Sequence, residues 1–319
     1  MGKERYDMKT NEIKNDSAIV VVGSANADLF FRTKKLRAPG ETVLASALKR
    51  SYGGKGANQA VAIARLGGRA VMVCRVGSDE HGKGIIMNFQ REGVETQYIS
   101  SDADAPTGSA FVTVDEAGEN TIVVYTGANG KLGGEDVQRV FEVVKTAAVC
   151  VAQMEIPLRT IEKLAEVARA CNVPFILNTA PAPQSDISHI IEKVEILCPN
   201  RREAELLSGI RIHDVSDAVR AGRKLAGKGA KNVVITLGSD GAVLVTKDTE
   251  RYVPAPKVSV CDTTGAGDAF VGGLAFAFAS GKDLEGSIKF ANIVAAISIT
   301  KDGTQTALPT LDEVEKFGR

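Results

Sequence analysis

The segment Asp262-Thr263-Thr264-Gly265-Ala266-Gly267-Asp268 runs straight into an apolar stretch containing Ala269, Phe270, Val271, Leu274, Phe276 and Phe278. This pattern is a glycine turn opening into a helix, with an aspartate in the first helical turn. The first N–H groups of a helix lack intrahelical partners and carry about half a positive charge. Glycine lets such amides approach an anion closely. Gly265, Ala266 and Gly267 therefore offer a seat for a phosphate or a developing oxyanion, with the Asp268 carboxylate beside it. An anion hole next to a carboxylate base is the apparatus for moving a phosphoryl group onto a hydroxyl. A helix cap is the plainer reading of the same aspartate, and this segment alone leaves the two open.

A second glycine cluster, Gly53-Gly54-Lys55-Gly56-Ala57-Asn58-Gln59, leads into a helix beginning near Ala60. It is not a G-x-x-x-x-G-K-[ST] loop. Gly77–Lys83 and Gly222–Lys228 fit that pattern only up to the lysine, because Gly84 and Gly229 follow where Ser or Thr is required. No G-x-G-x-x-G occurs. Asn26 and Asp28, with the amides of Gly53 to Asn58, form a polar set suited to vicinal hydroxyls; either residue alone would read as a turn cap. Asn200 and Glu203 stand three apart at a helix start. They suit water around Mg²⁺, and equally a capping box. Thr236-Leu237-Gly238-Ser239-Asp240-Gly241 follows a strand and suits nucleotide phosphates or ribose, or simply links two strands.

The elements that must position these groups alternate. Apolar strand patterns cover Ile19–Gly23, Ala70–Val76, Val149–Ala152, Phe175–Asn178, Ile196–Cys198 and Asn232–Thr236. Helical patterns cover Gly56–Leu66, Gly82–Glu92, Leu158–Ala170, Arg201–Leu207 and Ser216–Lys228. This order predicts an α/β fold: a doubly wound, mainly parallel sheet covered on both faces, with sites at its carboxyl edge. Asp28–Lys35 and Thr42–Ser51 read as exposed strands, and Ser109–Val114 with Glu119–Tyr125 as a hairpin. They predict a small second sheet closing over a ligand as a lid. The expectation is one domain over residues 18–319, with lid strands from about 28–51 and 109–125, and a loose polar tail over residues 1–17. Bare lid edges predict a homodimer.

Lys plus Arg and Asp plus Glu are 39 each in 319 residues. That balance gives no footprint for nucleic acid or an anionic membrane. No apolar run reaches the roughly 18 residues of a spanning helix. The five cysteines, Cys74, Cys150, Cys171, Cys198 and Cys261, are widely spaced, which suits buried free thiols in a reducing cytoplasm. His81, His189 and His213 read as surface residues in loops.

Order and spacing from Ile19 to about Pro309 resemble the ribokinase-like carbohydrate kinase family, through Gly53–Gln59 and Asp262–Asp268 above all. The resemblance implies ATP-dependent phosphorylation of D-ribose at O5, with Asp268 as base and Gly265, Ala266 and Gly267 as anion hole. It implies sugar contacts at Asn26, Ala27, Asp28, Gly54, Lys55, Gly56, Ala57, Asn58, Glu155 and Asp268; taken alone, Glu155 would read as a surface carboxylate beside Pro157. It implies ATP contacts at Asn200, Thr236, Leu237, Gly238, Ser239, Asp240, Gly241, Gly267 and Asn292, and Mg²⁺ held through water by Asn200 and Glu203. It further implies a K⁺ or other monovalent-cation site at Asp262, Thr264, Ser298, Lys301, Gly303 and Ala307, several through backbone carbonyls. Asp262 is expected to bury a carboxylate whose charge the cation offsets. Asn178-Thr179-Ala180-Pro181-Ala182 carries Thr where the family commonly shows Asn-Pro-Ala-Pro-Ala, a change expected to alter a turn and no ligand. Siblings acting on 2-deoxyribose, fructose or adenosine, and a non-catalytic sugar sensor, are the rival readings.

Overall fold

Ile19–Val22, Ala70–Val73 and Phe175–Asn178 lack polar alternation, and in the structure each is buried along its whole length. The computed structural model describes residues 17–318, so the expected tail lies outside the described residues except for Ser17. Among the described residues the strands are β1 (Ile19–Val22), β2 (Asn26–Arg32), β3 (Ala47–Gly53), β4 (Ala70–Val73), β5 (Arg75–Gly77), β6 (Ser100–Asp102), β7 (Ser109–Val114), β8 (Asn120–Tyr125), β9 (Val149–Gln153), β10 (Phe175–Asn178), β11 (Ile196–Cys198), β12 (Asn232–Thr236), β13 (Ala242–Thr246) and β14 (Glu250–Val253).

Eight of them form one sheet in the order β14-β13-β12-β11-β10-β9-β1-β4. The pairings from β4 to β12 are parallel, and β13 and β14 add an antiparallel edge. Side chains from the two faces fill two separate cores. Val21, Val151 and Ile176 pack with the helices Lys55–Arg65, Ala266–Ala279 and Leu284–Ser298. Val20, Cys150 and Leu177 pack with Leu158–Ala170 and Val215–Ala226. Helix Ala266–Ala279 is apolar nearly all round because it lies beneath Leu284–Ser298 as well as against the sheet. Helix Lys55–Arg65 comes so near β1 that a Cβ on Gly56 would lie 2.7 Å from the Gly23 Cα.

β3-β2-β7-β8 form the expected second sheet. Its boundaries differ from the sequence pattern. β2 starts at Asn26, and the strand expected over Thr42–Ser51 forms over Ala47–Gly53, because Asn26 pairs with Gly53 and Arg32 with Ala47. Residues 33–46 loop outward through Pro39-Gly40 instead of alternating. The Ala70–Val76 pattern splits at Cys74, and β5 pairs with β6 in a third, two-stranded sheet. Cys74, Cys150 and Cys198 are buried free thiols pushed up by desolvation, whereas Cys261 is exposed and Cys171 half-buried, contrary to expectation. His81 and His189 lie on helices, not loops; all three histidines are exposed. Gly222 sits inside helix Val215–Ala226, and Gly77–Lys83 enters a helix capped by Asp79, so neither forms a phosphate loop. No helix of the described residues is long and apolar enough to cross a membrane.

Candidate active site

Helix Ala266–Ala279 begins without a side-chain cap. Gly265, its N-cap residue, has φ 78°, and a Cβ there would lie 2.6 Å from Thr304 Cγ2. Only glycine fits both the left-handed backbone and the space. Elsewhere Asp79, Asn200, Asp214, Asp283 and Thr310 supply side-chain caps. The Ala266 N–H donates to Thr263 O at 3.2 Å, and the amides of Gly265 and Gly267 keep the positive end of the helix available for an anion.

Asp268 is buried at this end and is not a cap. Its carboxylate accepts from Asn58 Nδ2 at 2.8 Å and from Gln59 Nε2 at 3.2 Å. Both amides come from helix Lys55–Arg65, so the two glycine motifs meet at one carboxylate. Lys55 faces the same charge. Asp268 raises its affinity for a proton more than burial lowers it, and Glu155 and Glu203 add to the rise.

The sugar candidates converge from β2, the turn after it in space, and the loop after β9. Asn26 Oδ1 accepts from Asn129 Nδ2 at 2.7 Å, and the Ala27 N–H donates to Gly108 O at 2.9 Å. Asp28 Oδ1 accepts from the Ala110 N–H at 3.1 Å, tying β2 to β7. Neither Asn26 nor Asp28 caps a turn. Gly53 makes room opposite them: a Cβ there would lie 2.0 Å from Asp28 Oδ2 and displace that carboxylate. At Gly54, with φ 89°, a Cβ would lie 2.9 Å from the Ala25 Cα. The Ala57 N–H donates to Ser24 O at 2.9 Å, beside Gly56. Glu155 is no free surface carboxylate. It accepts from Ser24 Oγ at 2.5 Å and from the Lys55 N–H at 3.0 Å, filling the cap position that Gly54 cannot.

Across the sheet, Asn200 and Glu203 form the capping box: Asn200 Oδ1 accepts from Glu203 N, and Glu203 Oε2 accepts from Asn200 N. Burial pushes the Glu203 carboxyl up despite its hydrogen bonds and Lys55. Thr179 Oγ1 also donates to Glu203 Oε2, at 3.1 Å. The threonine thus alters the surroundings of a candidate ligand, where only a turn was expected to change. Thr236 is bridged to Asn200, so the Thr236–Gly241 turn lies beside the box; it is also the strand-to-strand connection between β12 and β13. The Leu237 N–H donates to Gly241 O at 2.7 Å, and Asp240 pairs with Arg201 at 3.0 Å, leaving Gly238 and Ser239 at its tip. Asn292 spends its amide on Val253 O and Pro254 O, holding the end of β14.

The monovalent-cation candidates also come together. Cys261 N and Asp262 N donate to Ile299 O, and Gly303 N to Asp262 Oδ2. Ser298 ends its helix, and Ala307 is buried a short turn beyond Gly303. The Lys301 ammonium pairs with Glu313 at 2.6 Å. Asp262 is half-exposed, correcting the expectation of a buried charge. Desolvation raises its carboxyl, but Thr264, the Gly303 N–H and Lys49 outweigh it and hold it below the usual range. Among the described residues no group of three or more His, Cys, Asp or Glu side chains converges.

Sequence reasoning missed Gln59, Asn129 and Gln305 as parts of this site. Gln305 Nε2 donates to Asn58 Oδ1 at 3.2 Å and its own oxygen accepts from Asn88. Gln59 stood inside the quoted motif; the other two had no local signal.

Residues 16–311 match the pfkB family carbohydrate kinases. The chain belongs to that family. This carbohydrate kinase is 37% identical to a ribokinase of Haemophilus influenzae over 299 residues, covering 94% of this chain and 97% of that one. It is 36% identical to a deoxyribokinase of Salmonella typhi over 301 residues, covering 94% and 98%. The structure of Arabidopsis thaliana ribokinase complexed with ribose and ATP superposes with a TM-score of 0.89 at 32% identity, covering 95% of this chain and 98% of that one.

Proposed function

We propose that this kinase transfers the γ-phosphoryl group of ATP to O5 of D-ribose, giving D-ribose 5-phosphate and ADP. It is then a phosphotransferase with an alcohol group as acceptor. The observation that carries the reading is a buried Asp268 carboxylate at the foot of an uncapped helix. Asp268 takes the O5–H proton as the O5–P bond forms and the bond from phosphorus to the ADP oxygen breaks. Amides at Gly265 to Gly267 stabilise the charge spread over the phosphoryl oxygens. Asn26, Asp28, Asn58 and Glu155 are placed to bind and orient the sugar hydroxyls. Lys55 offsets the carboxylates around it. The turn Thr236–Gly241 borders the nucleotide.

Glu203 fits a metal held through water: its buried carboxylate is short of positive charge although the cap already engages it. Mg²⁺ carried near Asn200 and Glu203 would supply charge neutralisation to the phosphates. Asp262, Thr264 and the backbone from Ser298 to Ala307 fit a K⁺ site that braces the anion-hole loop. The β3-β2-β7-β8 sheet acts as a lid that excludes water, within one domain over residues 18–319. Two copies pair through its edges, in a reducing cytoplasm.

Identity at 36% to a deoxyribokinase makes 2-deoxyribose the second reading. Asp268→Asn tests the base: it should keep ribose affinity and lower kcat by about 10²–10⁴-fold. Near-normal turnover in the folded variant would refute the role.

A further inference from the structure

Gln59 closes the first glycine motif, yet no sugar or nucleotide contact needs it. It is fully buried at 0% exposure. A carboxylate accepts hydrogen bonds only, so the Gln59 amide nitrogen must face Asp268, as it does at 3.2 Å from Oδ1. The same nitrogen lies 3.4 Å from Asn178 Oδ1, at the end of β10. The Gln59 oxygen accepts from Gln153 Nε2 at 2.7 Å, at the end of β9. Asn178 is itself fixed by donating to Cys198 O at 2.9 Å, at the end of β11.

Gln153 is confined as well. A Cβ on Gly23 would lie 2.0 Å from its Oε1, and that buried oxygen has no hydrogen-bond partner. Leaving such an acceptor unpaired costs stability. What orients the Gln153 side chain is its hydrogen bond to Gln59, with the close approach of Gly23 leaving no room beside Oε1. Asn58 is different in kind, because it also stands among the sugar candidates and must serve the ligand.

We propose that Gln59 is the positioning residue of Asp268: braced by Gln153 and Asn178, it fixes the Oδ1 edge of the carboxylate so that Oδ2, which also accepts from Asn58 Nδ2 at 2.8 Å, turns its second lone pair to the sugar O5–H. This rests on the reading of Asp268 as base. The charged group facing Asp268 is Lys55, with Glu155 and Glu203 beyond it; Asn58, Gln59 and Gln305 are neutral. Loss of Gln59 removes a donor to the ionised form and leaves the carboxylate held by Asn58 at Oδ2. Removing a donor favours the protonated form, so activity should fail at a higher pH than in the native enzyme.

The test is the kcat–pH profile of Gln59→Met, which keeps the length of the side chain and loses the amide. A charge-assisted bond of this kind predicts a fall in kcat of about tenfold to a hundredfold, with KM for ribose and ATP nearly unchanged. The acid limb of the profile should move to higher pH. A folded Gln59→Met enzyme with native kcat and a native acid limb overturns the inference. If that variant does not fold, Gln153→Met decides, since it leaves Gln59 and Asp268 intact and removes the closer of the two braces. It should show the same shift of the acid limb in smaller measure, and an unmoved limb overturns the inference. Asp268→Asn, run alongside, separates the two claims. Full activity there defeats the base reading itself; an inactive Asp268→Asn with a native-like Gln59→Met defeats the role of Gln59 alone.

Discussion

Burial pushes the Asp28 carboxyl up to about 7, against the Ala110 N–H that holds it down, and the nearby Glu155 charge adds to the rise. Sugar hydroxyls donate to the ionised form. Ribose binding should therefore be strongest above pH 7 and weaken as pH falls through it, with KM rising about tenfold between pH 8 and pH 6. Asp28→Asn should show a high KM without that slope. A flat KM in the native enzyme would contradict the assignment. At this scale the sequence was legible where chemistry is local. Asp262–Asp268 showed the turn, the helix start and the carboxylate in seven residues, and the structure decided that the carboxylate is no cap. It was not legible where partners are far apart in the chain. Asn129 holds Asn26 from 103 residues away, and Gln305 reaches Asn58 across 247. Thr179 looked like a turn residue because nothing local ties it to Glu203, 24 positions on.

Helix ends and the loops between them carry the next level. The anion-hole turn is pinned to the segment after Leu284–Ser298 through Ile299 O and the Gly303 N–H. The Lys49 ammonium, from β3, reaches the same segment at Asp302, 2.7 Å away. This exposed pair is worth little by itself in water. A potassium ion bound by Asp262 and the neighbouring carbonyls would brace the turn more firmly. We expect kcat to be higher in potassium than in buffer free of both sodium and potassium, with KM for ribose little changed. Equal rates in the two buffers would remove the cation from the account. Strands of the main sheet followed from their apolar runs, since burial of both faces leaves a simple signature. The edges of the lid did not: β3 is set by its register with β2, and its alternating pattern extends past where pairing stops.

For the molecule as a whole, the second sheet poses a problem of exposure. Every residue of β8 is exposed, and Ile122, Val123, Val124 and Tyr125 form an apolar run along an unpaired edge. Such an edge invites a second strand, and two-fold pairing is the commonest way to cover it. Light scattering at micromolar concentration should give twice the 33.6 kDa chain mass, and Val123→Asp should lower it; a monomer in the native protein would count against the pairing. The sequence showed this edge as a hairpin and led to the expectation of a second copy, an expectation resting on the bare edge alone, because a surface strand and an interface strand share one composition. Substrate choice is also a property of the whole assembly of lid, strand ends and helix terminus. Asn26, Asp28 and Asn58 carry the short polar side chains proposed to bind the sugar, and a site built to bond hydroxyls rejects analogues lacking them. The decisive measurement is kcat/KM with ATP for D-ribose, 2-deoxyribose, fructose and adenosine under one set of conditions. The account predicts ribose first, with phosphate on O5 of the product. Any of the other three ahead of ribose would contradict it.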